Sequence, residues 1–235
     1  MINVKKIALI LLSLILVFAL AAPALAESGK IKVSGNATVT LAADYATLQL
    51  GVNTRAQTVR EAQAENAELM NAVLTALYEA GLEEKDVVTS QFNVFMNYDF
   101  NYDEGKEIRT PYYQVENMLS VKVRDLSQVG AVLDAAMEAG ANTSYGITFS
   151  STQENEAYQK ALTRAVEDAA AKAQVLAQAA KMELGSLTLI DASQSGGFYG
   201  ISNVYEAKDT GASRTAIVSG DVSVSASVVM EFEMK

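Results

Sequence analysis

The sequence predicts an α+β fold, a mixed but mainly antiparallel sheet covered by helices, with elements in the order ββαββαβαββ. Three observations lead there. Strand-like segments outnumber helical ones, they alternate apolar and polar residues instead of being apolar throughout, and several follow one another with only a turn between. Alternation marks a sheet with one face buried and one wet, the habit of antiparallel sheets. A doubly wound parallel sheet would show continuously apolar strands.

The first 26 residues are set aside before the fold is read. Lys5 and Lys6 precede an apolar run over 7–20, Pro23 breaks it, and Ala24-Leu25-Ala26 ends it with small residues either side of a leucine. That is the layout of a cleaved secretory signal, and the run is short of the ~20 residues a membrane span needs. An uncleaved N-terminal anchor is the alternative reading. The remaining 209 residues, 27–235, suit a single domain large enough to be held by its own core.

Charge and residue usage narrow the chemistry. The whole chain carries a net charge of −10, which becomes −12 when Lys5 and Lys6 leave with the signal. An acidic surface argues against nucleic acid and anionic membrane as partners. There is no cysteine, so neither disulfides nor a lipid-anchoring thiol are available. There is no histidine either, which removes the commonest general base and the commonest transition-metal ligand.

From Ile31 the residues alternate, with Val33, Ala37, Val39 and Leu41 against Lys32, Ser34, Asn36, Thr38 and Thr40. After Ala42-Ala43-Asp44 the pattern resumes as Ala46, Leu48, Leu50 and Val52, which predicts a β-hairpin with one buried face. A helix follows. Thr58 and Glu61 form a capping box, Ala62, Asn66, Leu69, Val73 and Leu77 recur at three and four, and Gly81 suits the left-handed residue after the last turn. A long hairpin comes next. Phe92, Val94, Met96, Tyr98, Phe100 and Tyr102 share one parity on its outgoing strand, and Tyr113, Val115, Leu119, Val121 and Val123 point inward on its return.

"RDLSQVGAVLDAAMEAGAN" is a second helix, started at Asp125 and stopped at Gly140, and "SYGITFS" is a strand. The longest helix runs from about Glu154 to Ala180, with alanine at 157, 161, 165, 169, 173 and 177. A four-residue alanine stripe makes a narrow ridge that can lie close to a sheet. "LGSLTLID" is a further strand. Residues 193–213, rich in Gly, Ser and Asn and without periodicity, read as a long mobile loop. The chain closes on a strand with Val222, Val224, Ala226, Val228, Met230 and Phe232 on one face.

"VSGNATVTLAADYATLQLGV", "AQAENAELMNAVLTAL", "VVTSQFNV", "YQVENMLSVKVRDLSQVGAVLDAAMEAGAN", "GITFS" and "ALTRAVEDAAAKAQVLAQAA", in that order behind a signal peptide, resemble the SIMPL-domain family, whose bacterial members include periplasmic immunogenic proteins. The likeness covers nearly all of residues 27–235 and rests on the order of many modest motifs. One departure is Ala43-Asp44, where the family often has Pro-Asp in the first turn. The resemblance implies a SIMPL-type fold and an exported protein that is not an enzyme and has no agreed catalytic residues. It also implies links to envelope and oxidative-stress phenotypes, ring-like oligomers in some members and signalling partnerships in mammalian relatives.

The one stretch that looks like chemistry is "FMNYDFNYDEGKE", residues 95–107. Asp99-x-Asn101-x-Asp103 matches the first three ligand positions of a calcium loop. Such a loop needs glycine at position six and a chelating glutamate at position twelve. Here those places hold Glu104 and Thr110, so an acidic hairpin tip is expected and no metal or cofactor is assigned. Glu167 and Asp168 are neighbours on one helix and point apart, a poor acid–base pair.

Two groups of residues stand out. Tyr98, Phe100, Tyr102, Tyr112 and Tyr113, near the far end of the hairpin, are the candidate interaction surface, with core packing as their other reading. Asn66 and Asn117 stand where apolar residues belong and are expected to be structural buried amides. The expectation is an extracytoplasmic, non-catalytic protein that acts through protein contacts, with itself in a homo-oligomer or with another partner, and without stable membrane insertion once the signal is gone. A module binding a small ligand or cation is the alternative.

Overall fold

A computed structural model describes residues 29–103, 106–192, 198–204 and 215–235. The signal segment, the hairpin tip at 104–105, and residues 193–197 and 205–214 of the expected loop lie outside the described residues. The elements are β1 (Lys30–Ala42), β2 (Tyr45–Ala56), α1 (Val59–Glu79), β3 (Val87–Asp103), β4 (Lys106–Val123), α2 (Val129–Glu138), β5 (Thr143–Ser150), α3 (Glu154–Ala179), β6 (Leu184–Asp191), β7 (Phe198–Val204) and β8 (Gly220–Met234).

The class is as expected, α+β with antiparallel sheets under helices, and the strands divide into two sheets. One has the order β3-β4-β2-β5; in the other β8 lies between β1 and β6 and also pairs with β7. Every pairing is antiparallel.

Two expectations are corrected. β1 and β2 are both strands but not a hairpin: β1 pairs with β8 from Lys30↔Glu233 to Ala42↔Asp221, while β2 lies between β4 and β5. The short turn between them is a corner from one sheet to the other. Asp44 fixes it, its N–H donating to Ser150 O at 3.0 Å and its carboxylate accepting from Thr152 N, Thr152 Oγ1 and Ser151 Oγ. Period-2 patterning reports which face a strand buries, not which strand it pairs with. The second correction concerns the loop at 193–213, which contains β7, paired with β8 at Phe198↔Val224 and Ile201↔Val222.

The first sheet packs beneath α1 and α2. Leu48, Leu50, Val52, Val73, Leu77, Val121 and Val132 fill that core. The capping box forms as read, with Thr58 and Glu61 each bonding the other's backbone N–H, and Gly81 closes α1 at φ +93°. The second sheet packs beneath α3, whose six stripe alanines are all buried, Ala161, Ala165, Ala169 and Ala173 against Val228, Met230 and Phe232 of β8 and Ala157 against Val222 and Val224. The ridge lies so close that a Cβ placed on Gly35 of β1 would stand 1.9 Å from Ala165 O.

Candidate interaction site on the long hairpin

β3 and β4 pair without interruption from Phe92↔Asn117 to Asp103↔Lys106. β3 is the edge of its sheet, and α1 packs on β2 and β4. From Phe92 onward the helix-side residues of β3 are therefore left uncovered. Phe92 is 52% exposed, Val94 40%, Met96 51%, Tyr98 44% and Phe100 57%, an unbroken apolar row along one face of an edge strand. Ile108, opposite Asn101 on β4, is exposed as well.

The sequence-predicted residues separate in the structure. Tyr98 and Phe100 belong to the exposed row, and Tyr113 is half-buried on the same face of the hairpin. Tyr112 is not part of that surface. Residues adjacent on a strand face opposite ways, so it lies on the other face, where the Arg55 guanidinium stacks over its ring at 3.6 Å. The side chain of Tyr102 lies outside the described residues. Arg55 also pairs with Asp99, the first ligand position of the calcium pattern. That carboxylate is thus tied to a cation on the sheet surface, and among the described residues no three acidic side chains gather as a metal site would require.

Asn66 is buried in the first core, and Asn117 is half-buried on the same side of the sheet. Asn66, 1% exposed, donates from Nδ2 to Val52 O at 3.0 Å and to Val115 O at 3.2 Å, tying α1 to two neighbouring strands. Asn117 stands opposite Val52 on β4. The Oδ1 atoms of both amides find no hydrogen-bond partner among the described residues.

A second polar arrangement, on the other face of this sheet, escaped the sequence reading. Glu116, 8% exposed, receives Tyr145 Oη from β5 at 2.6 Å on one oxygen and Gln91 Nε2 from β3 at 3.4 Å on the other. Ser90 Oγ donates to Gln49 Oε1 at 3.2 Å alongside. Beneath this belt Met118 is buried. The hydrogen bond to Glu116, its negative charge and some desolvation together raise the Tyr145 pKa above its ordinary value. The one local signal in the sequence was Gly146, at φ +116°, beside the break in β2–β5 register. Elsewhere Asp86 is buried against Arg124 Nη1, 2.9 Å from both carboxylate oxygens.

Residues 31–232 match the family model SIMPL, described as a protein of unknown function (DUF541). The 26 kDa periplasmic immunogenic protein of Brucella melitensis is 34% identical over 187 residues, 76% of this chain and 75% of that one. The Escherichia coli protein YggE, described as uncharacterized, is 30% identical over 181 residues, 77% of this chain and 72% of its own. An Edwardsiella ictaluri YggE is 24% identical over 159 residues, covering 68% and 66% of the two chains. The location is extracytoplasmic, in keeping with relatives named as periplasmic. No helix among the described residues is long and apolar enough to cross a membrane.

Proposed function

This chain is a member of the SIMPL family, and from that premise we propose that it is a non-catalytic envelope scaffold that self-associates through the helix-side face of its long hairpin. The observation carrying this reading is the row Phe92, Val94, Met96, Tyr98 and Phe100. Five large apolar side chains in succession on one face of an edge strand are costly to leave in water. The strand's free backbone groups also offer a ready template for pairing. A chain with neither histidine nor cysteine, whose sheets pack tightly under helices, has more to offer as a rigid body than as a reaction vessel.

Self-association is tested by the native mass of the signal-free chain, residues 27–235, measured by light scattering behind a sizing column. A discrete species of several subunits is expected. Deleting residues 99–109, or replacing Phe92 and Met96 together with serine, lowers that mass while circular dichroism stays unchanged. A monomeric parent, or assembly that survives both changes, sinks the proposal.

A further inference from the structure

The chain has no cysteine, tryptophan or histidine, so an oxidant arriving from solvent meets methionine as the most readily oxidised side chain. How readily each sulfur reacts follows its exposure, and the methionines of the described residues fall into two groups. Met70, Met118, Met230 and Met234 are buried. Met96 is 51% exposed, Met182 39% and Met137 37%. Met137 lies in the last turn of α2, and Met182 lies just past the end of α3. Met96 alone is on the hairpin. It is the middle residue of the row Phe92, Val94, Met96, Tyr98 and Phe100, and it stands opposite Tyr113 on β4.

An unbranched thioether fits itself to an opposing surface and adds apolar area to a contact. Hydrogen peroxide changes that. The sulfur attacks one peroxide oxygen, and the S–O bond forms as the O–O bond breaks. Sδ gives up two electrons, and the second oxygen leaves as water. The product is a sulfoxide, which is polar where the thioether was apolar. Its neighbours on the same face of β3 are Val94 and Tyr98. Taken into a contact made by such a row, the new oxygen loses its water with no partner fixed to replace it. Access and association also compete at this residue. The sulfur is open while the chain is alone and covered once a second copy lies on the row, so peroxide acts on the separated chain and holds it there.

We propose that Met96 is a modification site, a reversible oxidation switch: peroxide converts it to the sulfoxide and thereby disperses the self-associated form. This rests on the self-association through the hairpin row proposed above. Among the described residues no other exposed methionine lies on the hairpin, so the effect is assigned to this one sulfur. Methionine sulfoxide is returned to the thioether by sulfoxide reductases, which makes the change a switch and not an end state.

The test treats the signal-free chain, residues 27–235, with hydrogen peroxide. Oxidation at each methionine is read by peptide mass spectrometry, and native mass by light scattering. In dilute, dissociated protein Met96 is expected to oxidise along with Met137 and Met182 and well ahead of Met118 and Met230. Where the parent is assembled, Met96 alone of the exposed three is protected. Oxidation at Met96 is expected to raise the concentration needed for assembly at least about tenfold. A mixture of the two reductases, one for each sulfoxide epimer, restores it. Met96→Leu, which conserves volume, assembles like the parent and keeps its mass in peroxide. Met96→Gln, polar from the start, is dispersed without oxidant. Oxidation of Met96 no faster than of the buried methionines overturns the proposal. So does an assembled parent whose mass ignores oxidation at Met96, a Met96→Leu assembly that peroxide still disperses, or a Met96→Gln chain that assembles like the parent. Each of these leaves self-association standing, whereas a parent that is monomeric at every concentration removes both readings.

Discussion

At Gly35 the fold turns on a missing methyl group. The Cβ of any other residue would sit 1.9 Å from Ala165 O and 2.7 Å from Ala169 N, and backbone on both sides leaves little room to give. Gly35→Ala is therefore expected to destabilise by about 1–3 kcal/mol through overpacking. In urea the midpoint falls while the slope is unchanged; an unmoved midpoint means that α3 can lift off β1 at no cost. Nearby, Asp168 shows how function-like residues acquire structural roles. It accepts the Asn36 N–H at 2.9 Å and holds Lys172, which in turn donates to Ser34 O at 3.1 Å. Together they cover part of the free edge of β1, where the sequence showed only a poor acid–base pair. The Lys172 ammonium, and after it the Asn36 backbone N–H, lower the Asp168 pKa.

At the scale of the element, the alanine stripe of α3 tests whether the ridge is a packing device or mere helix propensity. Ala169 is fully buried at the approach to Gly35, whereas Ala171, two residues on, is exposed. Ala169→Leu is expected to cost about 1–3 kcal/mol, and Ala171→Leu to stay within about 0.5 kcal/mol, as read by denaturant midpoints. Equal costs would mean that the stripe does not set the approach distance. The helices were legible because their signals are local. The Thr58–Glu61 box, the left-handed Gly81 and Gly140 and the alanine spacing are all satisfied within one or two turns. The long hairpin was legible for the same reason. The bulge that lifts Tyr145 over the sheet was not, because its meaning depends on Glu116, 29 residues away.

The whole molecule is two sheet-and-helix layers joined where β1 passes into β2 and β5 into α3. Asp44 stands at that junction and bonds Ser151 and Thr152 across it. Desolvation pulls its pKa up. The hydrogen bonds from Thr152 and Ser151 and the charge of Lys122 outweigh this, leaving it below the ordinary 3.8. A carboxyl depressed in the folded state contributes stability above its unfolded pKa and loses it as pH falls through the lower folded value. Asp44→Ala is thus expected to lower Tm near pH 6, by a free energy that solvent screening holds to about 1 kcal/mol or less. The gap to the parent closes as pH is taken below the folded pKa. A gap constant across that range would mean that the charge of Asp44 plays no part in holding the corner.

The sequence by itself determined the class, the helices and their caps, most strand positions and the face each strand buries, because these follow from patterns only a few residues wide. Only the tertiary structure decided that β1 belongs with β8 and β2 with β4 and β5. It alone placed Tyr112 and Tyr98 on opposite faces of the hairpin's neighbourhood, and brought Tyr145, Glu116 and Gln91 into one belt. Period-2 alternation is unchanged by which strand lies alongside, so pairing partners are set by how the two cores close, after the local patterns have been satisfied.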